Sequence, residues 1–161
     1  MFGSGKGGSM RFLSAVSTFL VIAAPLGLWG AEGGTPAEAK SMLKKAVAHY
    51  VGVGRKQALA DFTAGKSPFR DRDLYVVCIS FDHRVSASGG FPEYVGMTSD
   101  VLKDASSRPL GRVIIDSVSA KKEGMVSYLM TNPLTGDTEP KVLFVEKLSD
   151  DVCGVGAYSP S

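Results

Sequence analysis

The sequence predicts an α+β domain in which an amphipathic helix comes first and strands supply the rest. Three observations predict it. Thr35-Pro36-Ala37-Glu38 begins a helix, Asp73–Phe81 is a strand-like run, and Gly124–Leu148 reads as two strands around a turn. Helices followed by consecutive strands, without strict alternation, mark the α+β class. A chain of 161 residues supports one domain with enough apolar content to bury a core.

The elements follow in order. Thr35 caps the first helix, Pro36 suits a first turn where its missing N–H costs nothing, and Glu38 closes a capping box. Ala39, Leu43, Ala46, Val47, Tyr50 and Val53 then recur at helical spacing, giving one apolar face. Gly54 interrupts. A second helix, Arg55–Ala64, ends at Gly65. Ser67–Asp71 is expected to be a loop. Asp73–Phe81 is apolar on both faces, the mark of a central strand covered on two sides. Asp82-His83-Arg84 turns the chain into a short strand, Val85–Ser88, and His83 is read as a turn residue. Gly89–Pro109 is long and irregular, with a short helix expected at Ser99–Asp104; such a connection in a small domain is usually functional. A third helix is expected over Leu110–Lys122, and a last strand over Val152–Tyr158.

The hairpin carries the most chemistry. Asn132-Pro133-Leu134-Thr135-Gly136-Asp137 is dense in turn residues. Symmetry about Leu134 and Thr135 sets Tyr128 opposite Lys141, with Cβ atoms about 5 Å apart on one face. A phenol beside an ammonium is an anion receptor.

Composition narrows the function classes. Of 18 basic residues, Lys6 and Arg11 precede Glu32, the first acidic one; the other 16 balance the 16 acidic residues. The remaining domain has no basic surplus to attract nucleic acid. Arg11 opens a signal-peptide n-region, Phe12–Trp29 is uncharged, and Leu28-Trp29-Gly30-Ala31 offers a cleavage site. Residues 10–31 are therefore expected to be a signal peptide, with an uncleaved membrane anchor as the alternative. Met10-Arg11 is a natural start, so residues 1–9 are read as a non-native or mis-started leader, and 32–161 as the folded domain. The cysteines, Cys78 and Cys153, both lie in strand-like runs; export favours a disulfide, against two buried thiols that never meet. His49 and His83 give no metal-ligand spacing, and no serine sits in a nucleophile elbow, so neither metal, cofactor nor enzyme is expected.

The element order, with SPFRDRDLYVVCISFDHRV, YVGMTSDVLKDASSRPLGRVIID, GMVSYLMTNPLTGDTEPKVLFVEKL and VCGVGAY, resembles the single-Cache domains. These are extracytoplasmic relatives of the PAS fold found in bacterial chemoreceptors and sensor kinases. The likeness runs from Ala37 to Tyr158. It implies a five-stranded antiparallel sheet of order 2-1-5-4-3, with a small organic acid held between sheet and long loop. Tyr128 and Lys141 fall on the hairpin positions, Tyr75 on the first strand and Tyr94 on the pocket-covering loop. That strand order makes strands one and five neighbours, which implies a Cys78–Cys153 bridge. Ser88-Gly89 stands where the family has histidine-proline, and Asp82-His83-Arg84 replaces its acidic-glycine turn.

The expectation is a stand-alone, exported binding domain, periplasmic or secreted, for a small carboxylate: the signal segment implies export, the resemblance implies the ligand class, and the stand-alone form departs from the family's receptors. Lys141 pairs with the carboxylate, Tyr128 donates a hydrogen bond, and Tyr75 and Tyr94 supply wall and lid. The alternative expectation is a protein-interaction module for a separate membrane-bound receptor or kinase.

Overall fold

Thr35 caps helix α1 (Pro36–Val53) reciprocally. Its hydroxyl accepts from the Glu38 amide at 3.2 Å, and the Glu38 carboxylate accepts from the Thr35 amide at 2.7 Å. Gly54, at φ 84°, ends α1 and opens α2 (Arg55–Thr63); only glycine takes this backbone angle without steric cost. The computed structural model describes residues 33–159, together with 1–3, 5 and 7. The signal peptide expected at 10–31 lies outside the described residues. Among them, no helix is long and apolar enough to cross a membrane.

The strands are β1 (Arg70–Asp71), β2 (Leu74–Ser80), β3 (Val85–Ser88), β4 (Glu123–Thr131), β5 (Thr138–Lys147) and β6 (Asp151–Tyr158). All pairings are antiparallel. Five strands run β3-β2-β6-β5-β4, which in chain order is the expected 2-1-5-4-3. The sheet has six strands, not five, because Arg70 and Asp71 pair with Tyr75 and Leu74 where a loop was expected. Val76 donates to the Phe69 carbonyl and accepts from the Gly89 amide, so β1 and β3 share one edge of β2. Such a short strand is made by tertiary pairing and leaves no periodic signal.

Two further expectations give way. The third helix, α3, spans only Gly111–Asp116, because the amides of Val118 and Ser119 bond three residues back instead of four and tighten the chain into turns. The Ser99–Asp104 helix is a 3₁₀ turn over Ser99–Val101, matched by another at Pro92–Tyr94.

The sheet is covered on both faces. Ala39, Leu43, Ala46 and Tyr50 of α1, with Ala58 and Phe62 of α2, pack on Val76, Cys78, Phe144, Cys153 and Val155. On the other face Leu110, Ile114 and Val118 cover Ile79, Leu143, Val145 and Val152. Cys78 and Cys153 stand directly opposite on β2 and β6 and are joined by a disulfide, their Cα atoms 4.0 Å apart. At one end of the sheet, Asp151 is fully buried and holds α1 and α2: it accepts from Tyr50 Oη at 2.6 Å and from Arg55 at 2.7 and 3.0 Å.

Candidate ligand pocket

The face opposite α1 and α2 is where the strands place the functional side chains. Tyr128, Lys141 and Tyr158 form one row across β4, β5 and β6. Val126, Leu143 and Gly156 form the next. Tyr75 lies on this face of β2, two residues before Val77, which pairs with Gly154. The glycines make room for their neighbours. A Cβ at Gly156 would come within 3.0 Å of Lys141 Cε and 3.2 Å of Tyr128 Oη, so both side chains converge above it.

The long β3–α3 connection closes over this face. Phe91 meets the Tyr75 ring edge-on at 6.0 Å and stacks on Tyr94 at 5.3 Å. The Tyr75 ring lies against the backbone of Gly90, where a Cβ would sit 2.5 Å from Tyr75 Cζ.

Two adjoining chambers result. The first, about 140 Å³, is mostly apolar: Val77, Leu102, Leu110, Ile114 and Leu143 line it, with Tyr94 and Tyr128. The second, about 270 Å³, is charged and is lined by Arg70, Arg72, Asp73, Lys141 and Tyr158. Tyr75, Phe91 and Met130 border both. Tyr128 and Lys141 are thus opposite in register, yet Tyr128 fronts the apolar chamber and Lys141 the charged one. Tyr75 joins the two, and Tyr94 reaches only the first.

Lys141 is the electrostatic centre. It is only 4% exposed, and none of the ion pairs or hydrogen bonds among the described residues involves its ammonium. Aromatic faces surround it instead, with Nζ 4.3 Å from the Tyr158 centroid and 5.3 Å from that of Tyr75. Burial lowers its pKa to about 8, against the opposing pull of the Asp73 charge. Asp73 accepts from the Gly34 amide through Oδ1, while its Oδ2 is buried without a partner. Burial, and then the Asp73 charge, raise the Tyr75 phenol to about 12. Burial likewise raises Tyr128 and Tyr158, and Tyr158 donates to the Thr131 carbonyl at 2.7 Å. A chamber faced by a buried, weakly compensated ammonium is suited to binding an anion. Among the described residues no cluster of histidine, cysteine or carboxylate side chains is placed to hold a metal ion.

Asp73, Phe91, Met130 and Tyr158 were missed in the sequence reading. One signal for Tyr158 lay in VCGVGAY, where Gly154 and Gly156 alternate. Glycines at every second strand position leave one face bare for side chains from neighbouring strands.

No family model matches the chain, and no curated protein does. Solved structures do. A methyl-accepting chemotaxis protein from Vibrio parahaemolyticus RIMD 2210633 superposes with a TM-score of 0.60 at 20% identity, over 76% of this chain and 86% of its own. A Cache chemosensory domain, described for carboxylic acid recognition, gives 0.56 at 17% identity over 77% and 88%. The fold is Cache-like. A periplasmic sensor domain of a chemotaxis protein shares it, with a TM-score of 0.55 at 21% identity over 77% of this chain and 90% of its own. In the present Cache-like fold, the apolar chamber lies between the sheet and the long β3–α3 connection, and the charged one beside it is bounded by Phe91, Arg70, Arg72 and the start of the β4–β5 turn.

Proposed function

We propose that this chain is an extracytoplasmic, sensor-type binding domain for a small carboxylate. Lys141 is the observation that carries the reading: a buried ammonium facing a chamber, flanked by aromatic rings and paired with no carboxylate of the described residues. Its charge selects an anion, the Tyr128 hydroxyl converges with the Lys141 stem above Gly156 and donates at the junction of the two chambers, Tyr75 forms the wall and Tyr94 the lid. The carboxylic acid recognition described for one Cache structure supports this ligand class. The neighbouring solved structures are sensor domains, which supports binding over catalysis. Residues 10–31 act as a signal peptide that delivers the domain to the periplasm or medium, and a membrane-bound signalling protein reads its ligand state.

Thermal unfolding with acetate, propionate and succinate tests the reading. A ligand at a hundredfold excess over its Kd adds about 2.7 kcal/mol, so at least one acid raises Tm, and Lys141→Met abolishes the rise. Equal shifts in both proteins contradict it. A second reading rests on β4, whose Met125 and Leu129 are 62% and 43% exposed on the α1 side of the sheet, at its outer edge beyond Phe144. It makes the domain an interaction module for a membrane receptor or kinase, and it gains if no acid shifts the parent protein.

A further inference from the structure

The two chambers differ in chemistry and adjoin at Tyr75, Phe91 and Met130. Acetate or propionate at Lys141 would occupy the charged chamber and leave the apolar one unused. That chamber has a definite capacity. Its volume is about 140 Å³, and an apolar cavity of about 150 Å³ in another protein stays dry and binds benzene. The walls suit a ring as well. Leu110 and Ile114 are buried on one side, Leu143 forms the floor, and the Phe91–Tyr94 stack with the edge-on Tyr75 supplies aromatic faces. Aromatic groups favour such offset and edge-to-face contacts.

The charges limit the other end. Lys141 is the buried cation of the charged chamber, and Asp73 beside it opposes a second carboxylate at that point; Arg70 and Arg72 also border this chamber, but both are exposed and Arg72 is already paired with Glu38 and Asp71. Lys103 also borders the apolar chamber, but its side chain is exposed and its charge is screened by solvent.

Building on the carboxylate reading, we infer that the ligand of this site is a monocarboxylate bearing a six-membered ring on a short linker, such as an arylacetate, with the ring in the apolar chamber and the carboxylate at Lys141. The row Tyr128–Lys141–Tyr158 marks the junction: Tyr128 fronts the ring chamber, and its hydroxyl converges with the Lys141 stem above Gly156.

Calorimetric titration of the purified protein with acetate, succinate and phenylacetate tests this. Burying a ring predicts phenylacetate binding about 30- to 100-fold tighter than acetate. Leu102→Phe, at a half-buried loop position, fills the apolar chamber. It should weaken phenylacetate by about tenfold or more and leave acetate within about twofold; its melting curve verifies the fold, and Val101→Phe, at another residue lining the apolar chamber, is the second filling variant. Acetate or succinate binding as tightly as phenylacetate, with loss in Lys141→Met, overturns the inference and leaves the carboxylate reading intact. The same holds if both filling variants weaken all acids equally. Failure of every acid to bind, or unchanged binding in Lys141→Met, overturns the carboxylate reading and this inference with it.

Discussion

Lys141 Nζ lies 4.3 Å from the centre of the Tyr158 ring, its direct neighbour in the β5–β6 register. The attraction of an ammonium for an aromatic face offsets part of the cost of burying it, about 1–2 kcal/mol for a desolvated pair. Burial still wins, and the lysine releases its proton near pH 8.

That lowered pKa makes stability depend on pH. The unfolded chain holds the proton to about 10.5, and the folded chain only to about 8. Between these values the unfolded state binds more protons, so stability rises with pH. Above about 10 the order reverses, because Tyr75, Tyr128 and Tyr158 keep their protons longer when folded. Lys141 alone adds about 2 kcal/mol between pH 8 and 10 and the three tyrosines take back about 1, so ligand-free protein should gain on the order of 1 kcal/mol. Denaturant unfolding across this range measures it, and Lys141→Met should flatten the rise.

The Cys78–Cys153 bridge closes a loop with a sequence separation of 75. Confining an unfolded chain over that length removes entropy worth about 4 kcal/mol, within the usual loss of about 2–5 kcal/mol when such a bond is removed. The double substitution Cys78→Ser with Cys153→Ser should lower unfolding free energy by that amount. Free-thiol titration of denatured, exported parent protein should find no thiol.

Gly90→Ala probes the chamber wall. The added methyl falls 2.5–2.7 Å from three atoms of the Tyr75 ring, so the ring must move into the chambers it borders. Overpacking of this kind costs about 1–3 kcal/mol. Carboxylate binding should weaken beyond what that stability change explains, as seen by comparing titrations with unfolding curves.

Asp151→Ala removes the acceptor that joins Tyr50 to Arg55. Burial opposes the Asp151 charge, but hydrogen bonds from Arg55 and Tyr50 outweigh it and hold the pKa below the usual carboxylate value. Breaking a buried pair costs about 3–5 kcal/mol; Arg55 is half exposed, so about 3 kcal/mol is expected. In the parent this stability is present above the ordinary carboxylate pKa and is lost as pH falls through the folded value. Urea unfolding at pH 7 and at increasingly acid pH should show the gap between the two proteins narrow as pH falls.

How much was legible divides along local and distant causes. The capping box at Thr35 and Glu38, the α1 core face and the Tyr128–Lys141 register are set within one helix or hairpin, where spacing decides. Strand order and the neighbouring of Cys78 and Cys153 came through the family resemblance, since spacing cannot order strands. β1 and the early end of α3 were not legible, because one depends on pairing across a turn and the other on three-residue bonds. The division of the site was also hidden. Which chamber Tyr128 or Lys141 faces depends on Tyr75, Phe91 and Met130, brought together from β2, the long connection and β4.

In the proposed complex Lys141 holds the ligand's carboxylate. Pairing with an anion raises the lysine's pKa, so binding at pH 8.5 must take up protons. Calorimetric titration of a bound carboxylate at pH 8.5, in two buffers of different ionisation enthalpy, reads this directly. Uptake of a substantial fraction of one proton per ligand is expected, shrinking toward zero at pH 6.5 and absent in Lys141→Met. Binding at pH 8.5 with no proton uptake would contradict it.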